Sequence, residues 1–263
     1  MSMLIQRGYW KSRAALNATK AKRNMRHLKS WTIAAAAAVA LAALPGTAHA
    51  GAIHKDVPAQ VDPNKHYLIY LHGAWPESHA LSEPHPKRGK FEYEKILKEL
   101  AARDFEVISE LRQIKTNPRK YTRERVVPQV RSLIENGVPA KNVTVVGFSK
   151  GGGMVLVLST MLKNPAVNLV NLAGCGKGRF RAAYDSFLAN DAAKMQGRML
   201  SLYDQAETIA GTCSEAAALG TRLTMTEEIL KIGKGHASFY SPHPEWLDRI
   251  ASWSAASGKQ KTN

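Results

Sequence analysis

Short apolar runs alternate with longer amphipathic segments from about residue 66 onward. The runs are rich in Val, Leu, Ile and aromatic side chains, which is typical of strands buried inside a sheet. This pattern predicts six strands: His66–Leu71, Phe105–Ser109, Val143–Val146, Asn168–Ala173, Arg198–Tyr203 and Arg222–Ile232. Glycine-containing or polar stretches follow several of these runs and mark the places where the strands end.

The segments between the strands have helical spacing, with apolar residues three or four positions apart. The predicted helices are Phe91–Arg103, Thr122–Glu135, Lys150–Lys163, Ala182–Met195 and a closing helix that begins at Pro244. Pro128 is expected to break or restart the second of them, because proline lacks the N–H that a helix interior uses. Strand and helix alternate, which predicts an α/β fold: a three-layer sandwich around a mostly parallel sheet of about six strands. No long insertion separates the strands, so we expect no large lid domain.

One segment carries the strongest chemical signal. The β-branched strand Val143–Val146 leads directly into Gly147-Phe-Ser149-Lys-Gly151, and an apolar helical run follows. This order of strand, sharp turn and helix is what a nucleophile elbow requires, with the serine hydroxyl exposed at the tip. Glycine on both sides of the turn removes Cβ atoms that would crowd it. The alternative is an ordinary tight turn with a serine that plays no chemical part.

A serine hydroxyl is a weak nucleophile unless a base accepts its proton. His236 is the predicted base, because it follows the last strand and lies in a flexible Gly-Lys-Gly-His sequence. Asp204, at the exit of the strand before it, is the predicted acid that orients the imidazole. Glu207, three residues further on, is the alternative acid, and Glu110 is a more distant one.

The order of serine, acid and histidine, together with His72-Gly73 after an early strand, resembles the α/β-hydrolase superfamily in a small form without a lid. The resemblance covers roughly residues 67–257 and implies a serine esterase-like activity. The chain differs in having no obvious early antiparallel strands and in having Lys150 directly after the nucleophile.

An acyl-transfer site also needs donors for the oxyanion. We expect these from the backbone N–H groups of Lys150, at a helix N-terminus, and of Ala74. The ammonium group of Lys150 is expected to point to solvent or to an anionic substrate. The loop from Trp75 to Lys90 is expected to form a wall of the pocket. The pocket candidates by residue are His72, Gly73, Trp75 and His79.

The N-terminal region is typical of an export signal. An apolar run, Trp31–Leu44, is too short for a comfortable membrane span and follows several Lys and Arg residues. Small residues then end at Ala50, where cleavage is expected. Translation is expected to begin at Met25, with residues 1–50 removed and residues 51–263 forming one α/β-hydrolase domain. An uncleaved N-terminal anchor is the alternative.

Export changes how the charge and the cysteines are interpreted. The formal charge of +16 falls to +8 without residues 1–50, which hold eight Lys/Arg and no Asp or Glu. No nucleic-acid module accompanies this basic surface, so we expect no nucleic-acid partner. Cys175 and Cys213 are the only cysteines, and an oxidising compartment favours a disulfide between them. Neither has metal-ligand spacing, so no metal site is predicted.

The sequence therefore predicts an exported protein, periplasmic or secreted, that hydrolyses small-molecule acyl esters through an acyl-Ser149 intermediate without cofactor or metal. No stable membrane insertion is expected after the signal is removed. Thioesterase, amidase or peptidase activity is the alternative within the same chemistry. A catalytically silent binding protein on the same scaffold is the alternative of another class. The sequence leaves the oligomeric state open.

Overall fold

The computed structural model describes residues 50–256, so the predicted signal segment lies outside the described residues apart from its last residue. Seven strands of this region form one sheet, in which every neighbouring pair is parallel. They are β1 (Ile53–His54), β2 (His66–Leu71), β3 (Phe105–Ile108), β4 (Val143–Phe148), β5 (Asn168–Leu172), β7 (Gln196–Asp204) and β9 (Arg222–Leu230). Two further strands, β6 (Cys175–Gly176) and β8 (Ala210–Gly211), form a small antiparallel pair.

The strand order across the sheet is β1-β3-β2-β4-β5-β7-β9. β2 and β4 are therefore neighbours at the centre, with Leu71 opposite Gly147 at their carboxyl ends. Because parallel strands all end at the same edge, the segments after β2, β4, β7 and β9 meet there. In an open parallel sheet this edge is where ligands bind.

Helices cover both faces of the sheet. They are α1 (Tyr93–Ala101), α2 (Pro118–Tyr121), α3 (Val127–Glu135), α4 (Lys150–Met161), α5 (Arg181–Asn190), α6 (Ser214–Leu219) and α7 (Pro244–Ala256). Alternate residues of β2 enter two separate cores: Leu68 and Tyr70 pack with α1 and α7, whereas Ile69 packs with α3 and α4. This confirms the predicted three-layer α/β sandwich with a mostly parallel sheet.

Two details differ from the sequence-based prediction. The sheet has seven strands instead of about six, because the two residues of β1 are too short to show a pattern. Neither α6 nor the β6–β8 pair was predicted. The restart expected at Pro128 is present: the helical segment changes there from a π-helical turn, Thr122–Val126, to the α-helix α3. Proline stands in the first turn of α3, where its missing N–H costs no hydrogen bond.

Cys175 and Cys213 form a disulfide with their Cα atoms 5.4 Å apart. It joins β6 to the start of α6 and closes a segment that contains α5, β7 and β8. No helix among residues 50–256 is both long and apolar enough to span a membrane.

Removing this disulfide by the double substitution Cys175→Ala and Cys213→Ala is expected to lower the free energy of unfolding by about 4 kcal/mol. The sequence separation is 38 residues, and the chain-entropy model gives that figure for a loop of this size. Urea unfolding followed by circular dichroism measures the difference. Dithiothreitol should destabilise the wild-type protein and leave the double variant unchanged; equal stability of the two proteins without reductant would contradict the prediction.

Candidate active site

Ser149 stands between β4 and α4 in a backbone conformation that non-glycine residues rarely adopt, with φ of 55° and ψ of −112°. Its N–H donates to the carbonyl oxygen of Leu172 at 2.8 Å, and its carbonyl oxygen accepts from the N–H of Gly153 at 3.0 Å. These bonds to β5 and α4 fix the strained turn from both sides. A Cβ atom on Gly147 would overlap the carbonyl of Gly151, and one on Gly151 would overlap the carbonyl of Leu71. Only glycine therefore fits at either position.

His236 approaches the elbow from the loop after β9. Its Nε2 lies 2.8 Å from the Oγ of Ser149, across 87 positions of sequence. The imidazole is buried and packs against the ring of Phe148, with the ring centroids 4.8 Å apart. The predicted meeting of Ser149 and His236 is thus present at hydrogen-bond distance.

The carboxylate that contacts this histidine belongs to Glu207. Its Oε2 lies 2.8 Å from the Nδ1 of His236, and its Oε1 accepts from the N–H groups of Ile209 and Ala210. Burial alone would raise the pKa of Glu207, but the hydrogen bonds from His236 and from the two N–H groups hold it below its ordinary value. Glu207 is therefore ionised, and Nδ1 of the imidazole carries the proton that faces it. The Nε2 atom is left to accept a proton from the serine.

Asp204, the acid first predicted to orient His236, binds backbone N–H groups instead. Its Oδ2 accepts from the N–H groups of Ile232 and Gly233, and its Oδ1 accepts from Gly235 and Ala206, at 2.9–3.0 Å. Four backbone N–H groups donate to this carboxylate, and no hydrogen bond joins it to His236. The assignment of the orienting acid to Asp204 is therefore corrected to Glu207, the alternative.

The hydrogen bonds of Asp204 nonetheless matter to the site, because they hold the loop that carries His236. Burial works to raise the pKa of Asp204, while the N–H donors outweigh it and lower the value. The bond from the N–H of Ala206, two residues on, makes an Asx turn, a conformation that aspartate favours. Glu110, the third candidate, accepts from Tyr121 and Arg125 and has no contact with the histidine.

The two predicted oxyanion donors lie at the same edge. Lys150 is the first residue of α4, where backbone N–H groups have no acceptor within the helix. Ala74 follows β2, and both residues line the cavity that also exposes Ser149 and His236. A negative charge that forms beside Ser149 would face the N-terminal end of the α4 dipole.

The ammonium group of Lys150 does not point to solvent or towards the substrate space, as the sequence analysis expected. Its Nζ lies 2.5 Å from Oε2 of Glu77, and Oε1 of Glu77 accepts from Nε of Arg112 at 3.0 Å. Arg112 also donates to the carbonyl oxygens of His72 and Gly73. One buried carboxylate thus connects the residue after the nucleophile to the loop that carries Ala74.

His72 completes this network from inside the protein. Its Nε2 accepts from the backbone N–H of Arg112 at 2.9 Å, so its Nδ1 donates to the carbonyl of Gly73 at 2.6 Å. Burial, with the charges of Arg112 and Lys150, lowers the pKa of His72 to about 3. The ring is therefore neutral at physiological pH and is hydrogen-bonded to the backbone. It lines neither cavity described below, although His72 was among the predicted pocket candidates.

Three features identify the fold: the parallel sheet, the strained serine at the end of β4, and the chain order of Ser149, Glu207 and His236. The fold is α/β-hydrolase-like. No protein-family model and no curated protein sequence matches the chain. Solved structures that it resembles include SOBER1 of Arabidopsis thaliana, at 14% identity over 74% of this chain and 100% of that one, with a TM-score of 0.43.

Two bacterial structures have a comparable degree of similarity. A lipase-esterase related protein from Clostridium acetobutylicum matches at 15% identity, over 73% of this chain and 96% of that one, with a TM-score of 0.47. An esterase/lipase from an uncultured bacterium matches at 14% identity, over 76% and 79% of the two chains, with a TM-score of 0.46. These similarities concern the course of the chain and assign no substrate or catalytic residue.

A cavity of about 370 Å³ opens beside Ser149 in this α/β-hydrolase-like site. Apart from Ser149, Lys150 and His236, its lining is almost wholly apolar. The apolar side chains that line it are Pro118, Leu156, Val157, Phe180, Ala183, Tyr184, Phe187 and Ile209, with Ala74, Ala173 and Ala210. Most of this wall comes from α4 and from the disulfide-closed segment, and the sequence analysis did not predict it.

A second cavity of about 250 Å³ also reaches Ser149. The loop after β2 forms much of it, as predicted, and Gly73 and Trp75 are among its lining residues. His79, the remaining pocket candidate, stacks on the Trp75 ring with the centroids 3.4 Å apart and supports the wall from behind. Arg88 and Arg179 line this cavity as well. Among residues 50–256, no three His, Cys, Asp or Glu side chains are grouped to hold a metal ion.

Proposed function

We propose that the protein is a serine hydrolase that cleaves carboxylic esters through an acyl-Ser149 intermediate. The observation that carries this proposal is the continuous relay from Ser149 Oγ through His236 to Glu207, with both links at 2.8 Å. A hydrogen-bonded serine, imidazole and carboxylate is the arrangement that activates a hydroxyl for acyl transfer. The strained backbone at Ser149 adds support, because strain of this kind is retained where function requires it.

The reaction would run in two halves. Ser149 Oγ attacks the ester carbonyl carbon while Nε2 of His236 takes the hydroxyl proton, and the N–H groups of Lys150 and Ala74 bind the oxyanion. Glu207 stabilises the imidazolium that results. When the tetrahedral intermediate collapses, His236 returns that proton to the departing alkoxide. A water molecule, deprotonated by the same imidazole, then attacks the acyl group and releases the acid and Ser149.

The proposal includes export to the periplasm or the cell exterior. The disulfide between Cys175 and Cys213 is compatible with an oxidising compartment. The substrate is a small molecule, since the larger cavity at Ser149, of about 370 Å³, has the size of a small-molecule site. The same relay would serve a thioester or amide, and the lining described above gives no reason to prefer either over an ester.

An alkyl fluorophosphonate is expected to modify the protein once, at Ser149, and intact-mass spectrometry with peptide mapping measures the adduct. The Ser149→Ala variant should stay unmodified under the same conditions, because it lacks the hydroxyl that the proposed relay activates. Ser186→Ala, which removes an exposed hydroxyl on α5, is the matched control and should react as the wild type does.

The opposite result has a clear meaning. A folded protein, as judged by circular dichroism, that stays unmodified by the reagent and releases no acid from simple acyl esters would contradict the proposed function. A catalytically silent binding protein on the same scaffold would then be the better interpretation.

A further inference from the structure

The two cavities described above meet at the reacting atoms. Ala74, Ser149 and His236 line both of them, as do Phe180 and Ile209. An ester bound with its carbonyl carbon at Ser149 Oγ has two substituents, the acyl chain and the alcohol. Because both cavities reach Ser149 and the rest of their linings differ, each of them can take one substituent.

The cavities differ sharply in chemistry. The larger one presents aliphatic and aromatic side chains from α4 and α5, and an apolar substituent is stabilised there because its surface is removed from water. The smaller one is lined by two arginines, Arg88 and Arg179, and by no carboxylate. A substrate that fills both is therefore apolar at one end and polar at the other.

The charges of these two arginines are not neutralised by neighbours. Nη1 of Arg88 lies 2.7 Å from Nε2 of His85, and Arg88 also hydrogen-bonds the hydroxyl of Tyr240, so both of its partners are neutral groups. Burial and the charge of Arg88 lower the pKa of His85, which keeps that ring uncharged. The guanidinium of Arg179 lies over the ring of Phe180, 4.8 Å from its centroid.

Most other arginines of the described region contrast with this pair. Six of them form an ion pair with Asp or Glu: Arg103, Arg112, Arg119, Arg125, Arg181 and Arg249. Among residues 50–256, neither Arg88 nor Arg179 has such a carboxylate partner. Two guanidinium groups left without an anion at the mouth of a site fit a ligand that supplies one, because planar guanidinium donors match the two oxygens of a carboxylate.

We propose that the substrate is an ester with an apolar group in the larger cavity and a carboxylate in the smaller cavity, bound by Arg88 and Arg179. This inference rests on the proposed function and adds the class of substrate to it. The ester bond lies between the two groups, so cleavage separates an apolar product from an anionic one. The carboxylate takes no part in bond breaking; it contributes binding energy and orients the ester carbonyl.

Two matched substrate pairs test the proposal in both orientations. Monohexyl succinate carries the carboxylate on the acyl side, and hexyl levulinate replaces it with a neutral methyl ketone. The hexanoyl ester of gamma-hydroxybutyrate carries the carboxylate on the alcohol side, and the hexanoyl ester of the corresponding methyl-ketone alcohol is its neutral counterpart. Hexanol or hexanoate release, measured by chromatography, gives kcat/KM for each ester.

In one of the two orientations, kcat/KM for the anionic ester is expected to exceed that of its neutral counterpart by about tenfold or more, the size of one charge-assisted hydrogen bond. This ratio should fall towards one in the Arg88→Gln, Arg179→Gln double variant. It should also fall when the salt concentration is raised, because partly exposed charges are screened. Arg131→Gln, which removes an exposed arginine of α3 that lines neither cavity, should keep the wild-type ratio.

Binding is measured separately from turnover by the rate at which the fluorophosphonate modifies Ser149. Monohexyl succinate or the gamma-hydroxybutyrate ester should slow this reaction at lower concentration than its neutral counterpart does. If the neutral esters are cleaved or protect Ser149 as well as the anionic ones in both orientations, the inference on substrate class is overturned and the proposed function stands. If Ser149 is not modified and none of the four esters is cleaved, both fail.

Discussion

Replacing His236 with alanine is expected to lower kcat for ester hydrolysis by a factor on the order of 10⁵ to 10⁶. The imidazole Nε2 lies 2.8 Å from Ser149 Oγ and is placed to accept its proton. Without it the hydroxyl is no better a nucleophile than water. The residual rate would come from substrate binding and from the backbone donors of Lys150 and Ala74.

Steady-state kinetics on a soluble ester measure this loss, with thermal unfolding as the check that the variant is folded. His66→Ala is the matched control, because His66 begins β2 at the end of the strand remote from the site. Activity within tenfold of wild type in a folded His236→Ala protein would show that the imidazole is not the base. A similar loss in His66→Ala would show that the effect is not specific to the site.

The second large effect separates the two acids. Glu207→Gln is expected to lower kcat by a factor on the order of 10³ to 10⁴, because an amide can hold the imidazole in the wrong tautomer and cannot stabilise the imidazolium. The KM should change little, since Glu207 lies behind His236, away from the substrate space. The fluorophosphonate reaction at Ser149 should slow to a similar extent.

Asp204→Asn is the paired variant and should behave differently. Its side chain has one oxygen and one NH2 group, so N–H donors would face either the N–H groups of Ile232 and Gly233 or those of Gly235 and Ala206. We therefore expect a loss of about 3 kcal/mol or more in the free energy of unfolding. The lowered pKa of Asp204 sets the pH dependence. A depressed carboxyl pKa stabilises the folded state above the ordinary value near 3.8, and this stabilisation is lost as pH falls below it.

The difference in stability between wild type and Asp204→Asn should therefore shrink in acid. A folded Asp204→Asn protein that is inactive at neutral pH, together with an active Glu207→Gln protein, would return the orienting role to Asp204.

Local signals allowed the sequence to predict Ser149, His236 and the three-layer fold. The elbow is encoded within ten residues, by a β-branched strand, two glycines and a helix, so no distant contact is needed to recognise it. The position of His236 follows from the edge at which parallel strands end. Strand β1 escaped prediction because two residues cannot show a period.

The errors concern side chains whose partners are distant in sequence or depend on one turn. The choice between Asp204 and Glu207 depends on how the chain bends after β7. Asp204 accepts hydrogen bonds from the backbone in this bend, and the carboxylate that reaches His236 is that of Glu207, three residues further on. The direction of the Lys150 side chain depends on Glu77, 73 positions earlier. The apolar cavity wall depends on where the disulfide places α5. None of these contacts leaves a periodic pattern.

The two ion pairs of Glu77, with Lys150 and with Arg112, limit which substitutions are compatible with this site. If Lys150 were replaced by an uncharged residue, Glu77 would still be neutralised by Arg112. If Glu77 alone were replaced by an uncharged residue, the buried guanidinium of Arg112 and the partly buried ammonium of Lys150 would have no counter-charge. Both lie beside the loop that carries Ala74. The two positions are therefore expected to differ in how freely they vary among related sequences. Position 150 can lose its charge while position 77 stays acidic, whereas position 77 is expected to lose its charge only after Lys150 and Arg112 have both been replaced by uncharged residues.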